Sequence, residues 1–134
     1  MKKLLTILFT LTLLLTLGGC SKKLPEQYDE ATLLAAALKT IELANNFDYE
    51  TIASSVREDL YTETLADEIK KGWDTQLSKA GKYIEYTEYQ TTYTTEKDGY
   101  EYAVIAIACK YENDSLIYTF SYDEEYNLVG LYMK

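Results

Sequence analysis

The chain has 134 residues, with 13 Lys and Arg against 22 Asp and Glu, no His and 2 Cys, and its net charge is −9 at pH 7. A chain this acidic is not expected to bind nucleic acid, because such binding depends largely on Lys and Arg that displace counterions from phosphates. The absence of His removes the commonest metal ligand and the side chain best suited to proton transfer near neutral pH. Two cysteines are too few for a usual zinc cluster, so no metal and no cofactor are predicted.

The first twenty residues have the order of an export signal. A basic start at residues 1–3 is followed by an apolar stretch with threonines at residues 4–17, and then by Gly18, Gly19 and Cys20. This order is typical of secretory signals, and the apolar stretch is shorter than the roughly 20 residues of a membrane-spanning helix. A Cys directly after two glycines resembles the lipobox of bacterial lipoproteins, which implies cleavage after residue 19 and lipidation of the Cys20 thiol. Ordinary secretion and an uncleaved anchor are the alternatives.

Cleavage would divide the chain into a signal peptide at residues 1–19, a lipidated Cys with a tether at residues 20–27, and a single domain at residues 28–134. The mature chain would keep 11 basic and 22 acidic side chains, a net charge of −11. With Cys20 lipidated, Cys109 has no partner within the chain, and we predict that it is an inert buried thiol. The predicted location is the extracellular or periplasmic side of a cell membrane, to which the lipid on Cys20 anchors the chain.

Two helices are predicted in the first part of the domain. The helix at residues 28–46 carries apolar residues at intervals of three and four, which place them on one stripe. These residues are Ala31, Leu34, Leu38, Ile41 and Ala44. Asp48 is predicted to cap a shorter second helix, because its carboxylate can accept hydrogen bonds from free backbone N–H groups. The buried side of that helix is predicted to comprise Tyr49, Ile52, Ala53 and Val56.

A third helix is predicted to begin at Thr62 or Thr64 and to end at Gly81, a residue type that tolerates the left-handed backbone found at helix ends. Its apolar residues fall at steps of four, at Leu65, Ile69, Trp73 and Leu77. Trp73 is the only Trp, and we interpret it as a core anchor rather than as a platform for a ligand.

After Gly81 the period of the pattern changes to two, which predicts strands. Four strands are predicted at residues 83–95, 100–112, 115–122 and 126–133, and the short turns between them indicate an antiparallel meander. Eleven of the fourteen tyrosines lie at or beyond Tyr83. The strand propensity of Tyr explains this enrichment, and a concave, Tyr-lined binding surface is the alternative.

The second predicted strand differs from the others, because residues 103–109 are apolar on both faces. The helices can cover one face only, so a second copy of the sheet is the simplest cover for the other face, which predicts a homodimer through the sheet. The exposed patch is predicted to comprise Val104, Ala106 and Ala108, or Ile105, Ile107 and Cys109 if the two faces are reversed. Closure of the face by another segment of the same chain is the alternative.

Four segments carry a family resemblance: residues 38–52, Gly72-Trp73, residues 80–83 and residues 128–132. In these segments the chain resembles the bacterial domain-of-unknown-function family 3887, a branch of the cystatin-like superfamily that includes the nuclear-transport-factor-like proteins. The resemblance implies an α+β fold in which N-terminal helices pack on a curved antiparallel four-stranded meander, a cystatin-like or SnoaL-like cone. Family members occur as exported lipoproteins and as modules attached to hydrolases. The resemblance brings no catalytic residue.

The strand acids and Arg57 are the candidate catalytic residues. Glu85, Glu88 and Glu101 could serve a carboxylate mechanism if an apolar pocket buried them, but the alternation of the strands places them in solvent. Arg57, the only Arg, is explained more simply by a surface ion pair with Glu58 or Asp59. The acidic clusters at residues 112–114 and 123–125 lack the spacing of a calcium loop and are predicted to be solvated hairpin tips.

The sequence therefore favours a membrane-tethered, non-catalytic domain that binds a small molecule, a peptide or an envelope protein. No catalytic residue, metal or cofactor is assigned, and the ligand is not identified. The alternatives are a carboxylate-dependent hydrolase or isomerase that acts within the cone, and a purely structural domain that dimerises. A cone filled by Trp73, Ile105 and Ile107 would argue against both an enzyme and a small-molecule binder.

Overall fold

The computed structural model describes residues 23–134, so the predicted signal peptide and Cys20 lie outside the described residues. The helices are α1 (Glu30–Asn45), α2 (Tyr49–Ser54), a 3-10 helix (Glu58–Leu60) and α3 (Leu65–Ala80). The strands are β1 (Tyr83–Thr95), β2 (Glu101–Tyr111), β3 (Ser115–Tyr122) and β4 (Leu128–Met133). All neighbouring strands pair antiparallel in the order β1-β2-β3-β4, which confirms the predicted α+β fold and its meander. Residues 23–134 contain no helix long and apolar enough to cross a membrane.

The helix boundaries follow from local capping chemistry. The carboxylate of Asp29 caps the start of α1 by accepting a hydrogen bond from the Thr32 backbone N–H at 3.0 Å. The Thr32 hydroxyl, which donates to the same carboxylate at 2.6 Å, and this N–H together hold the pKa of Asp29 below its usual value. Asp48 accepts a hydrogen bond from the Thr51 backbone N–H at 3.2 Å and caps α2 as predicted. Gly81 ends α3 with a φ of 83°, a backbone conformation that favours glycine.

The buried stripe of α1 is rotated from the predicted one. Ala31 is exposed and Leu34 and Leu38 are half-buried, whereas the side chains that face the core are Leu33, Ala37, Thr40, Ile41 and Ala44. Apolar residues occupy more than half of the circumference of α1, so their spacing predicts a helix but not the centre of its buried face. The small residues among the buried set allow the helix to approach the sheet closely.

The interior between the helices and the sheet is filled by large side chains. Trp73 is 6% exposed, and its ring meets the Tyr118 ring edge-on with the centroids 5.7 Å apart. Ile105, Ile107 and Phe120 are fully buried beside them. Trp73 is therefore a core anchor, as predicted, and the cone holds packed side chains. Among residues 23–134, this core extends from Leu24 to Met133.

The two faces of β2 have different surroundings. Ile105, Ile107 and Cys109 pack into the core with the helices, so Val104, Ala106 and Ala108 lie on the outer face. The expectation that this whole outer row is exposed was wrong for Val104, which is fully buried within the chain. Ala106 and Ala108 are half-buried, and Ile117, which pairs with Ala108, is 38% exposed. The homodimer through this face stays a prediction.

Hydrogen bonds hold the start of the domain against the first residue of β2 and against the turn between β3 and β4. The Tyr28 hydroxyl donates to the Glu101 backbone oxygen at 2.6 Å, and the Asp29 backbone N–H donates to the Tyr126 hydroxyl at 2.8 Å. Leu24 also packs against the core. The packed chain thus begins four residues earlier than the predicted domain boundary at Tyr28. Only residues 20–23 remain between the predicted lipid and the packed chain, a reach of about 14 Å.

Candidate functional site

The three strand acids do not form a site. Glu85 and Glu88 are exposed and Glu101 is half-buried. Glu85 pairs with Lys110 near one end of the β1–β2 hairpin, whereas Glu101 pairs with Thr95 at the other end. The sheet therefore keeps these carboxylates apart, and none of them lies in the packed interior of the cone.

Arg57 is held at the surface by an acid and an aromatic ring. Its Nε donates to Asp59 Oδ1 at 2.6 Å, and its Nη1 donates to the Tyr102 hydroxyl at 2.9 Å. The guanidinium carbon also lies 5.6 Å from the centre of the Tyr102 ring, within the range of a cation–π contact. The hydrogen bonds from Arg57 lower the pKa of the Asp59 carboxyl. The predicted surface ion pair is confirmed, and its partner is Asp59.

Carboxylates in the two acidic turns accept hydrogen bonds from backbone N–H groups. Asp123 accepts hydrogen bonds from the backbone N–H groups of Glu125 at 3.0 Å and Asn127 at 2.8 Å. It is only 7% exposed, so the prediction of a solvated hairpin tip was wrong for this residue. Glu112 accepts a hydrogen bond from the Lys82 backbone N–H at 2.7 Å. Within residues 23–134, no group of three or more Asp, Glu, His or Cys side chains is arranged to hold a metal ion.

Two buried tyrosine hydroxyls form a hydrogen-bonded pair beside the last residue of α1. The hydroxyl oxygens of Tyr111 and Tyr118 are 2.6 Å apart, and the Tyr111 hydroxyl also donates to Asn45 Oδ1. Burial raises the pKa of Tyr111 to about 12 and raises that of Tyr118 as well. These phenols therefore stay protonated near neutral pH, where they can donate hydrogen bonds but cannot accept a proton as general bases.

Among the described residues, an apolar groove of about 410 Å³ lies between α3 and the edge strand β4, and we call it the α3–β4 groove. From α3 it is lined by residues at helical spacing, namely Leu65, Glu68, Ile69, Gly72 and Trp73. From β4 it is lined by the consecutive residues 129–133, and Val56 and Leu60 close one end. Consecutive strand residues point their side chains to opposite faces of the sheet. A groove that is lined by all of residues 129–133 therefore runs along the edge of β4 and not over one face of the sheet.

The groove is apolar, with Glu68 as its one charged lining residue. Glu68 is exposed, and neither of the ion pairs seen among residues 23–134 involves it. The segment at residues 57–68, which contributes Leu60, Leu65 and Glu68 to the lining, carries five acidic side chains and one Arg. That Arg is already paired with Asp59, so this segment is acidic overall, whereas Lys70 and Lys71 follow it on α3.

This site was missed by reasoning from the sequence, which placed candidate ligands in the cone or on the sheet. One signal was present: Gly72 lies in the middle of α3, where Gly costs about 1 kcal/mol relative to Ala. A Cβ atom at Gly72 would meet no atom within 4 Å, so tight helix packing does not explain the glycine. It leaves the groove open beside Trp73.

Comparison with known proteins places the chain in a family. Residues 37–131 match the family described as "Protein of unknown function (DUF3887)". The NMR structure of a protein from Ruminococcus gnavus ATCC 29149 is 33% identical to the chain, with a TM-score of 0.69, and the match covers 86% of this chain and 99% of that chain. None of the curated proteins matches. Since the family match spans well over half of the sequence, the chain belongs to the DUF3887 family, as the resemblance of its residues predicted.

Proposed function

We propose that the mature chain is a lipid-anchored, non-catalytic domain on the extracellular or periplasmic side of a bacterial membrane, and that it binds an apolar segment of a peptide or envelope protein. The α3–β4 groove carries this proposal. Its volume of about 410 Å³ lies within the usual range of ligand sites. A mostly apolar lining with one charged group at the rim is also typical of such sites.

The packing of the cone supports a site outside it. Trp73, Ile105 and Ile107 occupy the interior, which is where an enzyme on this fold would be expected to act. A carboxylate that serves as general acid is usually one that an apolar pocket buries. Glu68 is instead exposed at the rim of the groove, where a carboxylate is better suited to attract a positively charged partner.

The order of residues 1–20 supports the lipid anchor. The packed start of the domain limits how far the domain can lie from the membrane. With Leu24 packed on the core, the four residues 20–23 would keep the domain within about 14 Å of the bilayer surface. Partners would then be met at the membrane surface or on proteins that project from it. This location favours an envelope protein over a freely diffusing small molecule.

Fluorescence of Trp73 tests the groove directly, because it is the only Trp and it lines the site. The probe is the uncharged dye N-phenyl-1-naphthylamine, added to residues 21–134, which include all the core residues described between Leu24 and Met133. We expect energy transfer from Trp73 to the bound dye. Gly72→Leu should reduce this transfer at least fivefold, since the new side chain would fill the space beside Trp73.

The matched control is Ala35→Leu, an exposed helical position on α1 that lines neither the groove nor the cavity beside Tyr83 and Tyr111. It should leave dye binding unchanged. Gly72→Leu should not unfold the protein, because Leu is favoured over Gly within a helix by roughly 0.8 kcal/mol and its Cβ meets no neighbour. Equal dye binding by Gly72→Leu and the unsubstituted protein would contradict a ligand site in the groove.

A further inference from the structure

We propose that the occupant of the α3–β4 groove is an extended peptide segment that adds to β4 as a fifth strand and places a basic side chain opposite Glu68. This inference rests on the proposed function, because it specifies the partner and the binding mode for the same groove. It depends on three features of the groove: the free edge of β4, the alternation of hydrogen-bonded pairs between β3 and β4, and the negative charge of Glu68 and its neighbours.

The chain itself begins a fifth strand at this edge. The Leu128 backbone N–H donates to the Ser55 oxygen at 3.1 Å, and the Arg57 N–H donates to the Leu128 oxygen at 2.9 Å. These bonds form an isolated parallel bridge between Val56 and Leu128. The chain then turns into the 3-10 helix Glu58–Leu60 and leaves the edge. The rest of β4 is uncovered by any strand among residues 23–134, and it lines the groove.

The ladder between β3 and β4 shows which backbone groups face the groove. Ile117 and Lys134 exchange both backbone hydrogen bonds, each 2.9 Å long. Hydrogen-bonded and non-hydrogen-bonded pairs alternate along an antiparallel ladder, so the backbone N–H and C=O groups of Leu131 and Met133 point away from β3. These groups form an edge that an added strand can pair with, as in peptide recognition by strand addition.

The length of the β4 edge and the side chains of α3 beside it indicate the length and the sequence pattern of the bound segment. Residues 129–133 span about 17 Å of strand, which is enough to pair with about five residues of a peptide. Alternate side chains of an added strand would point towards α3, where Ile69 and Trp73 offer apolar contacts. The partner segment should therefore have apolar residues at every second position.

Charge complementarity completes the description of the partner. Glu68 is the one charged residue of the lining, and it is not part of either ion pair seen in the described chain. The segment at residues 57–68, which ends at Glu68, carries five acidic side chains and one Arg. An acidic segment would be repelled, so we expect Lys or Arg at an end of the bound peptide.

The test uses residues 21–134 and the capped peptide Ac-KLSLSLK-NH2, with binding followed by NMR shifts of the backbone amides. We expect the largest shifts at the amides of Leu131 and Met133 and at the Trp73 indole. Two N-methylated versions keep every side chain but block hydrogen bonding, one on the leucines and the other on the serines. Only the version whose methyl groups face β4 should lose affinity, by at least about tenfold, because two backbone hydrogen bonds are lost.

Glu68 is tested separately by charge. The peptide Ac-ELSLSLE-NH2 should bind at least about fivefold more weakly than the lysine peptide at low salt, and Glu68→Gln should weaken binding of the lysine peptide by about threefold. Glu68→Gln should leave binding of the uncharged peptide Ac-SLSLSLS-NH2 unchanged. Equal binding of the lysine and glutamate peptides would refute the predicted basic partner.

The outcomes distinguish this inference from the proposed function. If both N-methylated peptides bind as well as the parent peptide, or lose affinity equally, strand addition is refuted, while dye binding that Gly72→Leu abolishes would still support a ligand site. If neither dye nor peptide binds, both proposals fail. Concentration-dependent shifts at Leu131 and Met133 without peptide would show that a second copy of the chain fills the groove, which also overturns the inference.

Discussion

The buried thiol of Cys109 should make stability depend on pH in a way that one substitution can reverse. Cys109 is a free thiol on the helix-facing side of β2 and is 1% exposed. Burial raises its pKa from an ordinary value of 9 to about 12. The folded protein therefore keeps the thiol neutral over a pH range in which the unfolded chain ionises it, and this ionisation favours the unfolded state.

The magnitude follows from linkage. Each pH unit above 9 lowers the free energy of unfolding by about 1.4 kcal/mol until the folded-state pKa is reached, which is a loss of about 2 kcal/mol at about pH 10.5. Cys109→Ala has no thiol to ionise, but it leaves a small cavity that costs about 1 kcal/mol. The variant should therefore be less stable by about 1 kcal/mol at about pH 8 and more stable by about 1 kcal/mol at about pH 10.5. The tyrosines are common to both proteins, so their ionisation cancels in the difference.

Urea unfolding of residues 21–134, followed by far-UV circular dichroism in the presence of a reductant, measures this difference at the two pH values. Ile107→Val is the matched control, because it also removes a buried atom from the same face of β2 but titrates nothing. Its deficit of about 1 kcal/mol should be the same at both pH values. If the deficit of Cys109→Ala is equally independent of pH, the thiol is accessible in the folded state and the reasoning is refuted.

Two further predictions concern the anchor and the outer face. Cys20→Ser should release the protein from the membrane fraction or leave the precursor uncleaved, whereas Cys109→Ser should do neither; unchanged fractionation and mass for Cys20→Ser would contradict lipidation. For the predicted homodimer, sedimentation of residues 21–134 at micromolar concentration should show a dimer that Ile117→Lys converts to a folded monomer, because that side chain is exposed on the outer face. An unsubstituted chain that stays monomeric at all concentrations would rule out the dimer.

Local chemistry predicted the elements of this fold closely. The carboxylate of Asp48 marked the start of α2, and Gly81 marked the end of α3, because caps depend on a few neighbouring residues. The spacing of the sequence pattern changes from four residues to two after Gly81, and this change separated the predicted helices from the predicted strands. The family resemblance added the packing of the helices on the sheet, which the structure confirmed, and the match of residues 37–131 confirmed the family itself.

Packing between distant segments decided the features that the pattern of residues left open. The rotation of α1, which buries Leu33 in place of Leu34, depends on how the helix fits the sheet. Asp123 is buried because its carboxylate closes a turn through hydrogen bonds to backbone N–H groups.

The α3–β4 groove is the clearest case in which tertiary structure decided the site. A single sequence shows that a Gly lies within the predicted third helix and that the last strand is apolar, but not that the two lie side by side. Their proximity depends on the meander, which makes β4 an edge strand, and on the chain at residues 55–57, which pairs with only the first residue of that edge. The composition and order of residues therefore determined the elements and the predicted export, whereas the groove exists only because folding brings α3 beside an unpaired strand edge.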